Sequence, residues 1–126
     1  MAVDADGSLS DMAQHLERSA SMVRLLQNRL VVTVIVLCAE RCKAEPAQCM
    51  DAAPHRTPAY EARALAMSVL HTGLGFSLRD VAAAMKCPRS TVHRSVERVS
   101  ERRDVDAELD RWLVDLENMM QRRSVA

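Results

Sequence analysis

Arg89, Ser90, Thr91, His93, Arg94 and Arg98 crowd the stretch just beyond Pro88. Guanidinium, hydroxyl and imidazole groups are the donors and acceptors that suit phosphate oxygens and base edges. If this stretch is a helix with Val92 and Val96 turned inward, then Arg89, Ser90, His93, Arg94 and Glu97 stand on its outward side. From Arg63 to Val99 six basic residues (Arg63, Arg79, Lys86, Arg89, Arg94 and Arg98) face two acidic ones, Asp80 and Glu97, inside a chain whose formal net charge is zero. A locally basic segment in a neutral chain fits a directed binding face, and it also fits a plain solvated helix surface.

These side chains need a scaffold, and the residues upstream supply one. Ser77-x-x-Asp80 is a capping-box signature that starts a short helix reaching about Met85. Lys86-Cys87-Pro88 then makes a tight turn, although many such turns prefer glycine where Lys86 stands. Val81, Met85, Cys87, Val92 and Val96 provide the apolar contact between the two helices, with Ala82 small enough for a close crossing. Spacing, caps, turn length and outward chemistry together describe a helix-turn-helix that grips DNA. An ordinary helical hairpin with exposed arginines is the alternative.

The remaining elements are helical as well. Only three glycines and four prolines among 126 residues speak against a strand-and-turn protein. Leu9, Met12, Leu16, Val23, Leu26, Leu30 and Leu37 recur at steps of three and four, interrupted by Ser19 and Thr33. They mark one long helix, or two shorter ones broken near Ser19-Ala20-Ser21. A strand at Val31–Val36 ranks below a buried helix, because no partner strand is evident. Prolines 46, 54 and 58 punctuate the next stretch. Thr57-Pro58 reads as an N-cap with proline in the first helical position, opening a helix that runs through Leu70 and stops at Gly73 or Gly75. A last amphipathic helix carries Val105, Leu109, Trp112, Leu116 and Met119 or Met120. The core must be built from Ala, Val, Leu and Met, since Trp, Tyr and Phe occur once each.

From about Val34 to Met120 the chain resembles the C-terminal DNA-binding domain of the bacterial replication initiator DnaA. The resemblance runs through Ala39-Glu40-Arg41-Cys42-Lys43, Arg63-Ala64-Leu65-Ala66-Met67, Ser77-Leu78-x-x-Val81 and Thr91-Val92. It implies an all-α fold: a helix-turn-helix domain of the DnaA C-terminal type, with an N-terminal helical extension and a C-terminal amphipathic helix. It implies that Arg63, with a thin basic loop around Arg56, enters the minor groove, while the helix beginning near Pro88 reads the major groove. The Asp-His pair that reads the initiator's own site is absent, and so is any ATPase module. The expected organisation is a disordered N-terminus over 1–7, a helical interaction segment over 8–30, the domain over 31–121 with its helix-turn-helix core at 77–103, and a tail over 122–126.

The expected function is sequence-specific binding of double-stranded DNA as a stand-alone transcription regulator, narrowed by resemblance to an activator of prophage-like or gene-transfer-agent genes. The DNA-binding set is Arg56, Arg63, Lys86, Arg89, Ser90, Thr91, His93, Arg94 and Arg98. One such module gives limited specificity, so a homodimer or a protein partner such as the transcription machinery is expected. Leu9, Met12, Leu16, Val23, Leu26 and Trp112 are the candidate interface, and intramolecular packing is the alternative for each. A helical adaptor or anti-regulator that binds protein through the same fold remains the rival reading. Cys38, Cys42, Cys49 and Cys87 lack zinc-site spacing and read as structural thiols. No cofactor, no metal and no enzymatic activity are expected, since His15, His71 and His93 lack a nucleophile or carboxylate arrangement. No secretory leader is expected from Met1 to Ser10, which is acidic and lacks an apolar stretch, and the most apolar run, Leu30–Ala39, is far below the roughly 20 residues of a membrane span. A soluble, cytoplasmic, nucleoid-associated protein is expected.

Overall fold

The computed structural model describes the backbone of residues 2–125 and the side chains of 9–20, 24 and 27–123. Within them every regular element is helical. Helix α1 (Ala2–Cys42) is 41 residues long, about 60 Å at 1.5 Å per residue. It is unbroken at Ser19-Ala20-Ser21. It begins at Ala2, and no proline interrupts its backbone. Burial starts at Val31. Val34, Ile35, Cys38 and Ala39 enter the core, while Leu30 and Leu37 of the sequence stripe are only half-buried. The helix ends at Lys43, whose φ of 59° is left-handed, with the Ala44 amide donating to Ala39 O at 2.9 Å.

A 3-10 turn (Pro46–Cys49) and a loop lead to α2 (Pro58–Ser68), which continues as one widened π turn through Gly73. Thr57 caps it as expected: its hydroxyl accepts from the Tyr60 amide at 3.2 Å and donates to Pro54 O at 2.7 Å. From Ala62 to Leu70 every residue is buried, the mark of a central helix covered on all sides. The alanines at 62, 64 and 66 let neighbouring helices approach closely. Helices α1 and α4 pack most extensively on α2.

Helix α3 (Leu78–Met85) starts at Ser77, whose hydroxyl accepts from the Asp80 amide at 3.0 Å. Three residues, Lys86 to Pro88, separate it from α4 (Arg89–Val105). Val81, Ala82 and Met85 of α3 meet Val92 and Val99 of α4 in the core, and Val96 and Cys87 are half-buried. The sequence reading of that contact is therefore met in its inward residues.

Val105 is corrected. It is 86 % exposed, because Asp106 ends α4 and caps α5 (Ala107–Val125), accepting from the Leu109 amide at 3.0 Å. The inward face of α5 is Leu109, Leu113, Leu116 and Met120. The helix also continues through 122–125, where a tail was expected. Arg103 ties α4 to α5, its guanidinium lying 2.6 Å from Asp110 and 2.9 Å from Glu117. Burial disfavours its charge, but the hydrogen bonds and charges of Asp110 and Glu117 outweigh burial and raise its pKa.

Glu117 also bears on Gly73, where an added Cβ would sit 2.5 Å from Glu117 Cγ. Held by Arg103, that side chain has little room to move aside. Gly73→Ala is therefore expected to cost about 1–3 kcal/mol, read as a lower midpoint in urea unfolding. An unchanged midpoint would mean that α5 shifts freely against the end of α2.

Candidate nucleic-acid interface

Helix α4 buries Val92, Ser95 and Val99 and turns the opposite side to water. Arg89, Ser90, His93, Arg94, Glu97 and Arg98 are all exposed. The spacing of three and four lines them along one face, which begins at the first residue of the helix. Pro88 precedes that face and provides no capping side chain; the Thr91 amide donates to Pro88 O at 3.0 Å, and no described hydrogen bond takes the amides of Arg89 and Ser90, where an acceptor from outside would sit.

The exposed charges are tied by weak pairs. His93 Nε2 lies 3.1 Å from Glu97 Oε1, with both side chains about 60 % exposed. Lys86 Nζ lies 3.3 Å from Asp51 Oδ1. Arg98 donates to Tyr60 Oη at 2.7 Å and lies over the Tyr60 ring, 5.4 Å from its centre. Solvent-exposed pairs of this kind are worth about 0–1 kcal/mol, so phosphate can displace them at little cost.

Two hollows flank the face. One, of about 490 Å³, is lined by Arg79, Lys86, Arg89 and the small residues Ala82 and Ala83. The other, of about 370 Å³, lies between the loop before α2 and the flank of α4; His55, Tyr60, Thr91, Arg94 and Arg98 line it. The half-buried Thr91 thus belongs to a groove wall rather than to the open face. Arg79 and Tyr60 were missed in the sequence reading. Arg79 carried a signal, since it is one of the six basic residues of the segment. Tyr60, on α2, carried none.

Two expected residues do not join the face. Arg56 is exposed on its loop at a left-handed φ of 66°, and no described hydrogen bond or ion pair links it to α4. Arg63 is corrected outright: it is 4 % exposed. Its Nη1 donates to Cys49 O at 3.0 Å and its Nη2 to Met85 O at 2.6 Å. Both ends of the guanidinium fork are spent inside the fold, so no surface remains for a minor groove. Met85 O lies at the C-terminal end of α3, where a cation also offsets the helix dipole. Arg63 therefore sets the position of the turn that launches α4.

Lys86 occupies the turn at φ 56°, with the Cys87 amide donating to Ala82 O at 3.1 Å. That is a left-handed C-terminal stop built without glycine, at a cost of about 1 kcal/mol. Lys86→Gly is expected to raise stability by about 0.5–1 kcal/mol while weakening binding to polyanions. A thermal melt and a salt titration would then move in opposite directions; a lower melting temperature would contradict the strain.

Elsewhere, Trp112 is half-buried, and the Arg41 guanidinium of α1 lies 4.8 Å from its ring centre. The side chains of Val23 and Leu26 lie outside the described residues. All four cysteines are free thiols, and burial is the main cause raising each of their pKa values. Among the described residues no three His, Cys, Asp or Glu side chains gather as a metal site, and no helix is long and apolar enough to cross a membrane. Compared with family models, curated proteins and solved structures, the chain matches none.

Proposed function

We propose that the protein is a sequence-specific double-stranded DNA-binding transcription regulator, with α3, the Lys86–Pro88 turn and α4 acting as a helix-turn-helix. The observation that carries this reading is the split character of α4. Val92 and Val99 are sunk in the core, which fixes the helix, while Arg89, Ser90, His93 and Arg94 stand in water on one side. In this reading that side enters the major groove. Lys86, Arg79 and Arg98 lie beside it and take phosphates. Affinity then comes largely from counterion release and falls steeply with salt. Discrimination comes from the base contacts of Arg89 and Arg94, each worth about 1–3 kcal/mol. The resemblance to the DnaA C-terminal domain supports the same reading for the Ser77–Arg103 unit. Its minor-groove arginine does not carry over to Arg63, which is enclosed.

The test is a mobility-shift series on genomic fragments at increasing salt. Selective retardation that weakens as salt rises is expected. If no fragment is retarded at low salt, the DNA reading fails; co-purification of a protein partner would then favour the adaptor.

A further inference from the structure

We propose that the projecting half of α1 pairs with the same segment of a second copy of this chain, as a parallel, in-register two-stranded coiled coil. The seam is Leu9, Met12, Leu16, Ser19, Val23, Leu26, Leu30, Thr33 and Leu37, whose steps alternate three and four without exception across four heptads. A 3.5-residue period of this length, apolar at seven of nine positions and polar at Ser19 and Thr33, is the pattern of a supercoiled pair. In the single chain the outer, described part of the seam stands in water, while Leu30 and Leu37 are half-buried against the core. Leu9, Met12 and Leu16 are 63, 59 and 65 % exposed, and five of the seven large apolar residues exposed in the described part of the protein lie on α1.

The seam and the core-facing side of α1 are different sides. Val31, Val34, Ile35, Cys38 and Ala39, which enter the core, are centred roughly 130° around the helix from Leu30, Thr33 and Leu37 at 100° per residue. The half-buried Leu30 and Leu37, with exposed Val36 beside them, carry the apolar strip down to the domain itself. A second helix can therefore follow the seam along the arm that projects from the domain, and meets the domain where Leu30 and Leu37 are half-covered.

Area and charge both favour a second copy. Exposed Leu9, Met12, Leu16 and Val36, at roughly 100 Å² each, with about half as much from each of half-buried Leu30 and Leu37, give about 500 Å² per partner from the described side chains, a large share of the roughly 800 Å² of a standard interface. Asp11, Glu17, Arg18 and Arg24 fall off the seam by register, and Arg29, which flanks it beside Leu30, faces an apolar position of the other copy in a parallel pair, so identical copies bring no like charges together along it. A partner recognised by charge would find no matching row. The polar members set the orientation. In a parallel pair Ser19 meets Ser19 and Thr33 meets Thr33, confining polarity to two layers, whereas an antiparallel pair spreads it over four. Matched polar layers are a known way to fix register.

Pairing places two α4 helices at one end of a common rod, a consequence that rests on the DNA reading; the pairing itself does not. Sedimentation of the full chain, without DNA, is the test. Wild-type protein is expected at twice 14.0 kDa, and Leu16→Asp as a monomer whose α2–α5 core melts as before. Ser19→Leu should tighten the dimer roughly tenfold or more. Leu16→Cys should form an interchain disulfide on oxidation, because identical seam positions face each other only in a parallel register. A monomeric wild type, an undisturbed Leu16→Asp dimer, or a dimer in which Leu16→Cys never crosslinks would each overturn the proposal. Loss of DNA binding in an intact dimer would instead count against the function proposed above.

Discussion

Arg63→Met is expected to destabilise the protein by about 3–5 kcal/mol. Two enclosed carbonyls, Cys49 O and Met85 O, would lose their only described side-chain donor, and each unsatisfied buried acceptor costs about 1–3 kcal/mol. Methionine fills the volume but cannot donate. Arg63→Lys should recover less than half of the loss, since one ammonium does not reproduce the two ends of a fork. Urea unfolding of the three proteins measures this directly. If Arg63→Met kept wild-type stability and lost only DNA affinity, the minor-groove role implied by resemblance would have to be restored.

The second large effect falls on binding, with stability left alone. Arg89→Ala and Arg94→Ala should each weaken a preferred duplex by about 1–3 kcal/mol, roughly 5- to 150-fold. Their unfolding midpoints should stay within about 0.5 kcal/mol of wild type, because both side chains are exposed. Arg94 Nε makes only a long 3.4 Å bond to Ser90 O, so little is lost inside the protein. Replacing Lys86, read here as a phosphate contact, should instead lower affinity for all sequences alike and flatten the salt dependence. Wild-type affinity and selectivity in both arginine variants would remove α4 as the reading element.

The two classes of prediction differ in how visible they were before the fold. Thr57-Pro58, Ser77-x-x-Asp80 and the turn before Arg89 were legible because a cap is closed within three or four residues of its own chain. The outward side of α4 followed from periodicity alone. Arg63 was not legible. Its partners lie 14 and 22 residues away, and nothing local distinguishes an arginine that clasps carbonyls from one that faces solvent. Val105 was misplaced because Asp106 caps α5 and ends α4 one residue after it, a competing signal that the apolar stripe hid. On α1 the stripe itself was visible, but not which side the domain would occupy. Val31, Val34 and Ile35 took the core, Leu30 and Leu37 lie at its edge, and Leu9, Met12 and Leu16 of the stripe stand in water.

That α1 runs from its projecting arm into the core as one uninterrupted helix has a mechanical consequence. There is no swivel where the arm meets the body, so any twist imposed on the arm reaches the body as rotation instead of being absorbed in a linker. Inserting two residues near Gln27 would turn the arm about 200° against the body while lengthening it by only about 3 Å. The chain behaves like a key, in which the angle of the shank fixes the angle of the teeth.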